Sequence, residues 1–354
     1  MTDPDRPGVT YRASGVDIQA GDRAVELIRA QVARTNRPEV VGGLGGFAGL
    51  FAIDPTRWRQ PLLATSTDGV GTKLAIARAM DRHTTVGLDL VGMVVDDIVV
   101  CGAEPLFLTD YIACGRVVPE LMEAIVSGVA DGCALAGCAL IGGEIAEHPG
   151  LLEPGEYDLA GAGVGMVEAD DLLGADRVRA GDVVIALASS GLHANGYSLA
   201  RRVLLEMAGL PLGGALDELD GATLGESLLT PTRIYARDCL ALAAEVEIHA
   251  FAHITGGGLA GNLARVIPDR LSAVLDRGSW ALPAIFRLIA DRGCVVTDEM
   301  ESTFNEGIGM LAVLPPVAVD PALAMLKSRD VPAWVVGEVR AGRGVTLVGE
   351  HRAG

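Results

Sequence analysis

Aromatic residues make up only 4% of this 354-residue chain, and half of its residues are hydrophobic. A core this poor in rings must be built mainly from Val, Leu, Ile and Ala. Other absences exclude whole classes of function. None of the six cysteines forms a CxxC pair, and no GxSxG or HExxH occurs. Zinc-ribbon, hydrolase-elbow and zincin readings therefore have nothing to rest on. No run approaches the ~18 apolar residues that a membrane helix needs. The opening MTDPDRPG has no apolar stretch of the kind a signal peptide carries. No Lys/Arg cluster with interleaved aromatics is present, and 46 acidic against 28 basic residues give a net charge of −18. Nucleic acid and anionic membrane are not expected as partners. A cytosolic protein with reduced thiols is the simplest account, with Cys133 and Cys138 as packing residues in ADGCALAGCAL.

Glycine is abundant: 46 of 354 residues, 13%, against a usual ~7%. It clusters between apolar runs, which points to tight turns and close ligand approaches. The most informative cluster is Ser66 to Lys73, STDGVGTK, which follows the apolar run PLLAT. Here Asp68 can face a magnesium ion, Gly69 and Gly71 let backbone approach oxygen atoms, and Lys73 can supply a charge for phosphate. The spacing is not that of a Walker loop. A glycine turn with a surface lysine is the competing reading.

The length suggests two domains of roughly 100–200 residues each. The polar stretch after Val167 precedes a clean new strand at Asp182–Ala188, so the boundary is placed there, giving domains 1–168 and 169–354. Helices are expected at 22–33, 88–100, 121–136, 197–207 and around 234–244. Strands are expected at 61–65, 139–141, 159–167, 183–187, 273–275 and 310–314. Strands alternate with helices in both halves, so the class is mixed α/β (α+β).

Acidic residues recur just after apolar runs: Asp68, Asp96, Asp97 and Glu144. Asp89 and Asp96 are seven apart, hence on one helix face. Burying them is costly unless a cation or a donor satisfies them. The loop SSGLHANG (Ser189–Gly196) brings hydroxyls and His193, which could orient a phosphate, move a proton or simply be structural. In HITGGG, Gly256 and Gly257 are candidates for an anion site at a helix start, or for tight packing. His83, His249 and His351 lack such context and read as surface residues.

Ten segments in order resemble phosphoribosylformylglycinamidine cyclo-ligase, the aminoimidazole ribonucleotide synthetase family. They are YRASGVDI (11–18), GGLGGFAGLF (42–51), TDGVGTKL (67–74), GLDLVGM (87–93), GAEPLFLTDY (102–111), GGEIAEHPG (142–150), SSGLHANGYSL (189–199), PTRIY (231–235), HITGGGLAGN (253–262) and TFNEGIGM (303–310). The resemblance implies a two-domain fold whose N-terminal domains pair in a homodimer. It implies ATP- and magnesium-dependent closure of formylglycinamidine ribonucleotide to aminoimidazole ribonucleotide, releasing ADP and phosphate, in purine synthesis. It carries over Lys73, His193 and Asp97 as catalytic candidates. Gly45, Gly46, Asp68, Gly69, Gly71, Thr72, Asn195, Gly256 and Gly257 become nucleotide or substrate contacts, and Asp68, Asp97 and Glu144 metal ligands. The chain departs from the family pattern at Asp96 (for Asn), Ile145 (for Thr), Ala194 (for Ser), Glu306 (for Met), Arg12 (for Lys) and Ser14 (for Ala). Alternatives are a thiamine monophosphate kinase-like or selenophosphate synthetase-like enzyme, or a non-catalytic scaffold that retains the fold.

Overall fold

The computed structural model describes residues 9–352. Helix α1 (Ile18–Ala33) starts at Asp17, whose side chain accepts from the backbone N–H groups of Gln19 and Ala20. The short strands β1 (Val40–Val41) and β2 (Leu50–Phe51) pair across the glycine loop between them. Then come β3 (Pro61–Gly69), α2 (Leu74–Met80), α3 (Thr84–Val99), β4 (Glu104–Cys114), α4 (Pro119–Ala136), β5 (Ala139–Glu147) and β6 (Tyr157–Glu168). Their four strands form one sheet in the order β3-β6-β4-β5, antiparallel except for the β4–β5 pair.

Nineteen glycines take a positive φ, as tight turns require, and a few others serve this sheet. Gly161, Gly163 and Gly165 alternate along β6 on the face that α3 covers. A Cβ at Gly161 would lie 3.1 Å from Leu90, and one at Gly163 would lie 2.7 Å from Val94. The bare strand lets α3 sink onto the sheet, and small residues take the place of aromatic filler. The other face carries Leu63, Thr65 and Thr67 of β3, Phe107, Thr109 and Tyr111 of β4, and Glu144 of β5. Among the described residues no helix layer covers it, and Leu63 is 67% exposed.

The second half is built from β7 (Val183–Ala188), α5 (Tyr197–Arg201), α6 (Leu224–Leu228), α7 (Ala236–Glu245), β8 (Ala250–His253), α8 (Gly258–Leu263), β9 (Leu271–Asp276), α9 (Ala284–Gly293), α10 (Thr297–Thr303), β10 (Ile308–Leu314), α11 (Val319–Ser328), β11 (Ala333–Ala341) and β12 (Gly344–Val348). Its six strands are ordered β12-β9-β11-β7-β10-β8 and are antiparallel except for β12–β9. Strand β10 is buried at every position, which explains its unbroken apolar run ending MLAVL. No helix among the described residues is long and apolar enough to cross a membrane.

Three expectations change. Strand β5 continues through Gly142-Gly143 to Glu147 instead of stopping at Ile141. The helix from Tyr197 widens into a π-helical turn over Arg202–Met207. His83, His249 and His351 are not free surface residues. His83 Nδ1 lies 2.9 Å from the Tyr157 hydroxyl, His249 Nδ1 lies 2.7 Å from Asp182, and the His351 ring stands edge-on to Trp280 at 4.7 Å.

Candidate active site

The site is organised by α3. Residues Asp89, Gly92, Met93, Asp96 and Asp97 follow a spacing of three and four, so they form one stripe, and that stripe faces the second half of the chain. Asp89 Oδ1 accepts from Thr232 N at 2.8 Å, from Thr232 Oγ1 at 2.7 Å and from Lys73 Nζ at 2.8 Å. Thr232 also packs over Gly92, where a Cβ would come within 2.8 Å of its methyl group. Asp96 accepts from Tyr235 N at 2.9 Å, at the start of α7. Asp97 lies 2.9 Å from His253 Nδ1 at the end of β8. The PTRIY segment thus receives two buried carboxylates from the other half, which answers their desolvation cost.

Lys73 sits differently from the phosphate contact assumed above. Its ammonium is fully buried, and its three donors are taken by Asp89, the His193 carbonyl at 2.9 Å and the Thr230 carbonyl at 2.7 Å. Burial lowers the Lys73 pKa and raises that of Asp89, while their contact opposes both shifts. In this arrangement the group clamps the seam and leaves no free donor. It holds His193 in a left-handed backbone conformation, φ 63°. The His193 ring is buried. Its Nε2 accepts from Ser190 N at 3.3 Å, and its Nδ1 has no partner. Burial first, then the charges of His253, Lys73 and Arg233, hold this imidazole well below its usual pKa, so it is neutral.

Asp68, Asp96, Asp97 and His253 form an electronegative group at the same seam. Burial lifts the Asp96 carboxyl to about 7 despite the His253 charge and the Tyr235 N–H. Burial also raises Asp68, with Asp97 adding to the rise. Burial alone would lower His253, but the Asp97 hydrogen bond and the three carboxylates raise it overall. Several carboxylates thus face one imidazole. Carboxylate oxygens are the hard donors that magnesium takes, but these side chains do not converge as a set of three ligands.

Glu144 does not join them in one chain. Asp68, Gly161, Asp110 and Gly143 are in register across the sheet, so Glu144, one residue on, projects from the opposite face. No group of three metal-ligating side chains converges among the described residues. Glu144 instead borders a cavity of about 580 Å³ at the outer edge of β5, together with Gly45 and Gly46, α1 and α4. Gly69 N–H is spent on Asp68, and the Thr72 hydroxyl meets Ser198 at 3.1 Å. Gly71 takes φ 65°, a left-handed turn. Asn195 reaches Met93 Sδ at 3.6 Å and borders Gly256. Gly257 N–H donates to the Ser302 carbonyl, and a Cβ at Gly258 would collide with the Glu301 carbonyl, so tight packing accounts for this run. Asp110 was missed. The signal was an acid at an inward position of the alternating run LFLTDYIAC.

Two family models match: AIR synthase related protein, N-terminal domain, over residues 52–167, and its C-terminal domain over 179–350. A phosphoribosylformylglycinamidine cyclo-ligase from Anaeromyxobacter dehalogenans is 55% identical over 334 residues, 94% of this chain and 96% of that protein. One from Geobacillus kaustophilus is 50% identical, over 97% and 99%. The chain belongs to the phosphoribosylformylglycinamidine cyclo-ligase family. Solved structures share the fold at lower identity. Thiamine-monophosphate kinase from Stenotrophomonas maltophilia superposes with a TM-score of 0.67 at 21% identity, covering 92% of this chain and 97% of that one. The hydrogenase maturation protein HypE in complex with ATP gives 0.60 at 19%, over 91% and 90%.

Proposed function

We infer that this chain is an enzyme that closes formylglycinamidine ribonucleotide to aminoimidazole ribonucleotide with ATP, forming a C–N bond in purine biosynthesis. The observation that carries this is near-full-length identity of 48–55% to cyclo-ligases, joined to a polar seam that both halves build. In the reaction the formyl oxygen attacks the γ-phosphorus of ATP and ADP leaves. The amidine nitrogen then attacks the activated carbon, and phosphate departs with the original formyl oxygen. Such chemistry needs positioning and charge neutralisation more than covalent help.

Asp68 and Asp97 are the residues we assign to magnesium, which offsets phosphate charge when bound. Asp97 also orients His253. Gly45 and Gly46 with Glu144 border the nucleotide cavity, and Gly69, Gly71 and Thr72 shape the turn before α2. His193, Asn195, Gly256 and Gly257 lie on the substrate side of the seam. In this reading Lys73 acts on the phosphoryl group only through the loop it anchors. The uncovered sheet face fits a second copy, which makes a homodimer the working assembly. A cytoplasmic location suits the pathway.

The structural likeness to thiamine-monophosphate kinase and HypE, under 22% identity, supports the fold and no further activity. Purified protein given ATP, magnesium and formylglycinamidine ribonucleotide should yield aminoimidazole ribonucleotide and ADP in equal amounts. ATP consumption that required thiamine monophosphate or selenide instead would overturn the assignment.

A further inference from the structure

The turn between α10 and β10 ties the substrate side of the seam to a pair of buried groups that the reaction above does not use. Asn305 Oδ1 accepts from Ser189 Oγ at 3.1 Å, and Asn305 Nδ2 donates to the Gly191 carbonyl at 2.9 Å. Ser189 N donates to the Gly307 carbonyl at 2.9 Å. Residues 305–307 thus hold the loop that carries His193 and Asn195. The other side of the turn is held by segments that follow β9 and β12. Trp280 donates its indole N–H to the Glu306 carbonyl at 2.9 Å, and the His351 ring stands edge-on to that indole. Glu306 lies among them at φ 50°, with its side chain only 3% exposed. Its Oε2 and both ring nitrogens of His351 are buried, and none has a hydrogen-bond partner among the described residues. Oε2 and His351 Nε2 are 3.8 Å apart, a gap that a rotation of the carboxyl group brings to hydrogen-bond length.

We propose that Glu306 and His351 are positioning residues that share one buried proton, and that this proton keeps the turn, and through Asn305 the substrate-side loop, in its binding arrangement. The inference rests on the substrate reading above. A carboxyl facing an imidazole is satisfied by one proton between them, which one group donates and the other accepts. Without that proton a buried carboxylate stands unpaired. The nearest cation is already taken, because Arg277 donates to Glu301 on α10. Glu301 itself repels a charge on Glu306, and Asp298 acts on Arg277. Arg352 is bound to the Gly278 carbonyl, and Glu350 is exposed. Burial, then Glu301, raises the Glu306 carboxyl to about 7, while burial, then Arg277, lowers the His351 imidazole. The proton therefore sits on the carboxyl and leaves near neutral pH. A methionine, which the family pattern has at this place, would fill it without that cost, so the pair is a feature of this chain.

The test measures KM for formylglycinamidine ribonucleotide between pH 6.5 and 8 in the full-length wild type, Glu306→Gln and His351→Leu. The wild-type KM should rise by about tenfold over this range, because only the protonated fraction holds the loop and that fraction falls above about 7. Glu306→Gln donates without titrating and should keep the low-pH KM throughout. His351→Leu removes the acceptor and should raise KM about fivefold already at pH 6.5, the effect of one lost hydrogen bond. A wild-type KM that matches Glu306→Gln at every pH overturns the proposal. So does a His351→Leu variant that melts earlier with an unchanged KM, since that is a structural role alone. The proton is also read without substrate. Trp280 emission should step between pH 6 and 8 in wild type and not in Glu306→Gln, and the same trace in both proteins overturns the proposal. That step seen in a wild type that does not turn over formylglycinamidine ribonucleotide would instead overturn the proposed function.

Discussion

Replacing Lys73 by methionine separates two roles for this residue. The side chain is fully buried and its ammonium bonds Asp89 and two carbonyls from the other half of the chain. Methionine keeps most of the stem and removes the charge. Asp89, also fully buried, then loses the cation it is paired with, although Thr232 N and Oγ1 remain as donors. Breaking one side of a buried pair costs about 3–5 kcal/mol. For domains of 150–250 residues each kcal/mol shifts Tm by roughly 2–4 °C, so a fall of about 6–20 °C is expected. Asp89→Asn added to Lys73→Met keeps an acceptor for Thr232 and removes the stranded charge, so it should recover a large part of that loss. The assay is a thermal scan and a turnover measurement on the same samples. Lys73→Met with an unchanged Tm and turnover lowered by orders of magnitude would refute the clamp and return Lys73 to direct phosphate contact.

Glu306, buried in the TFNEG turn at φ 50°, has its carboxyl pushed to about 7, chiefly by burial and then by Glu301. A folded-state pKa above the unfolded 4.5 means that the folded protein holds the extra proton. Stability should therefore fall as pH rises from about 5 to about 7, by up to roughly 3 kcal/mol at ~1.4 kcal/mol per pH unit. Glu306→Met should flatten this slope in urea titrations at pH 5 and 8, and an unchanged slope would reject the assignment. Asp97→Asn should raise the magnesium concentration needed for half-maximal turnover by about 10–100-fold, the usual effect of disturbing a metal shell; an unaltered magnesium dependence would remove Asp97 from the site. Leu63→Asp, in the middle of the uncovered sheet face, should convert a dimer to monomer by light scattering at micromolar concentration. A wild-type monomer with full turnover would reject the assembly.

The helical stripe of α3 was legible because Asp89 and Asp96 share a face at seven-residue spacing. What satisfies them was not, since Thr232 and Tyr235 lie about 140 positions away and spacing says nothing about such partners. Lys73 looked like a phosphate ligand for the same reason: a lysine after two glycines reads alike whether it meets solvent or a buried carboxylate. The strand through Gly142-Gly143 was lost because glycine weakens strand propensity, whereas here it makes room for Asp110. The ordered motifs carried the family and the mixed α/β class, which do not depend on knowing each contact.

The most direct test of the account follows the formyl oxygen. If ATP activates that oxygen as a phosphate ester, substrate labelled with oxygen-18 at the formyl group should deliver the label to inorganic phosphate, one atom per aminoimidazole ribonucleotide formed. Label found in water, with unlabelled phosphate, would mean that the ring closes without phosphoryl transfer to the substrate, and would contradict the mechanism assigned to this seam.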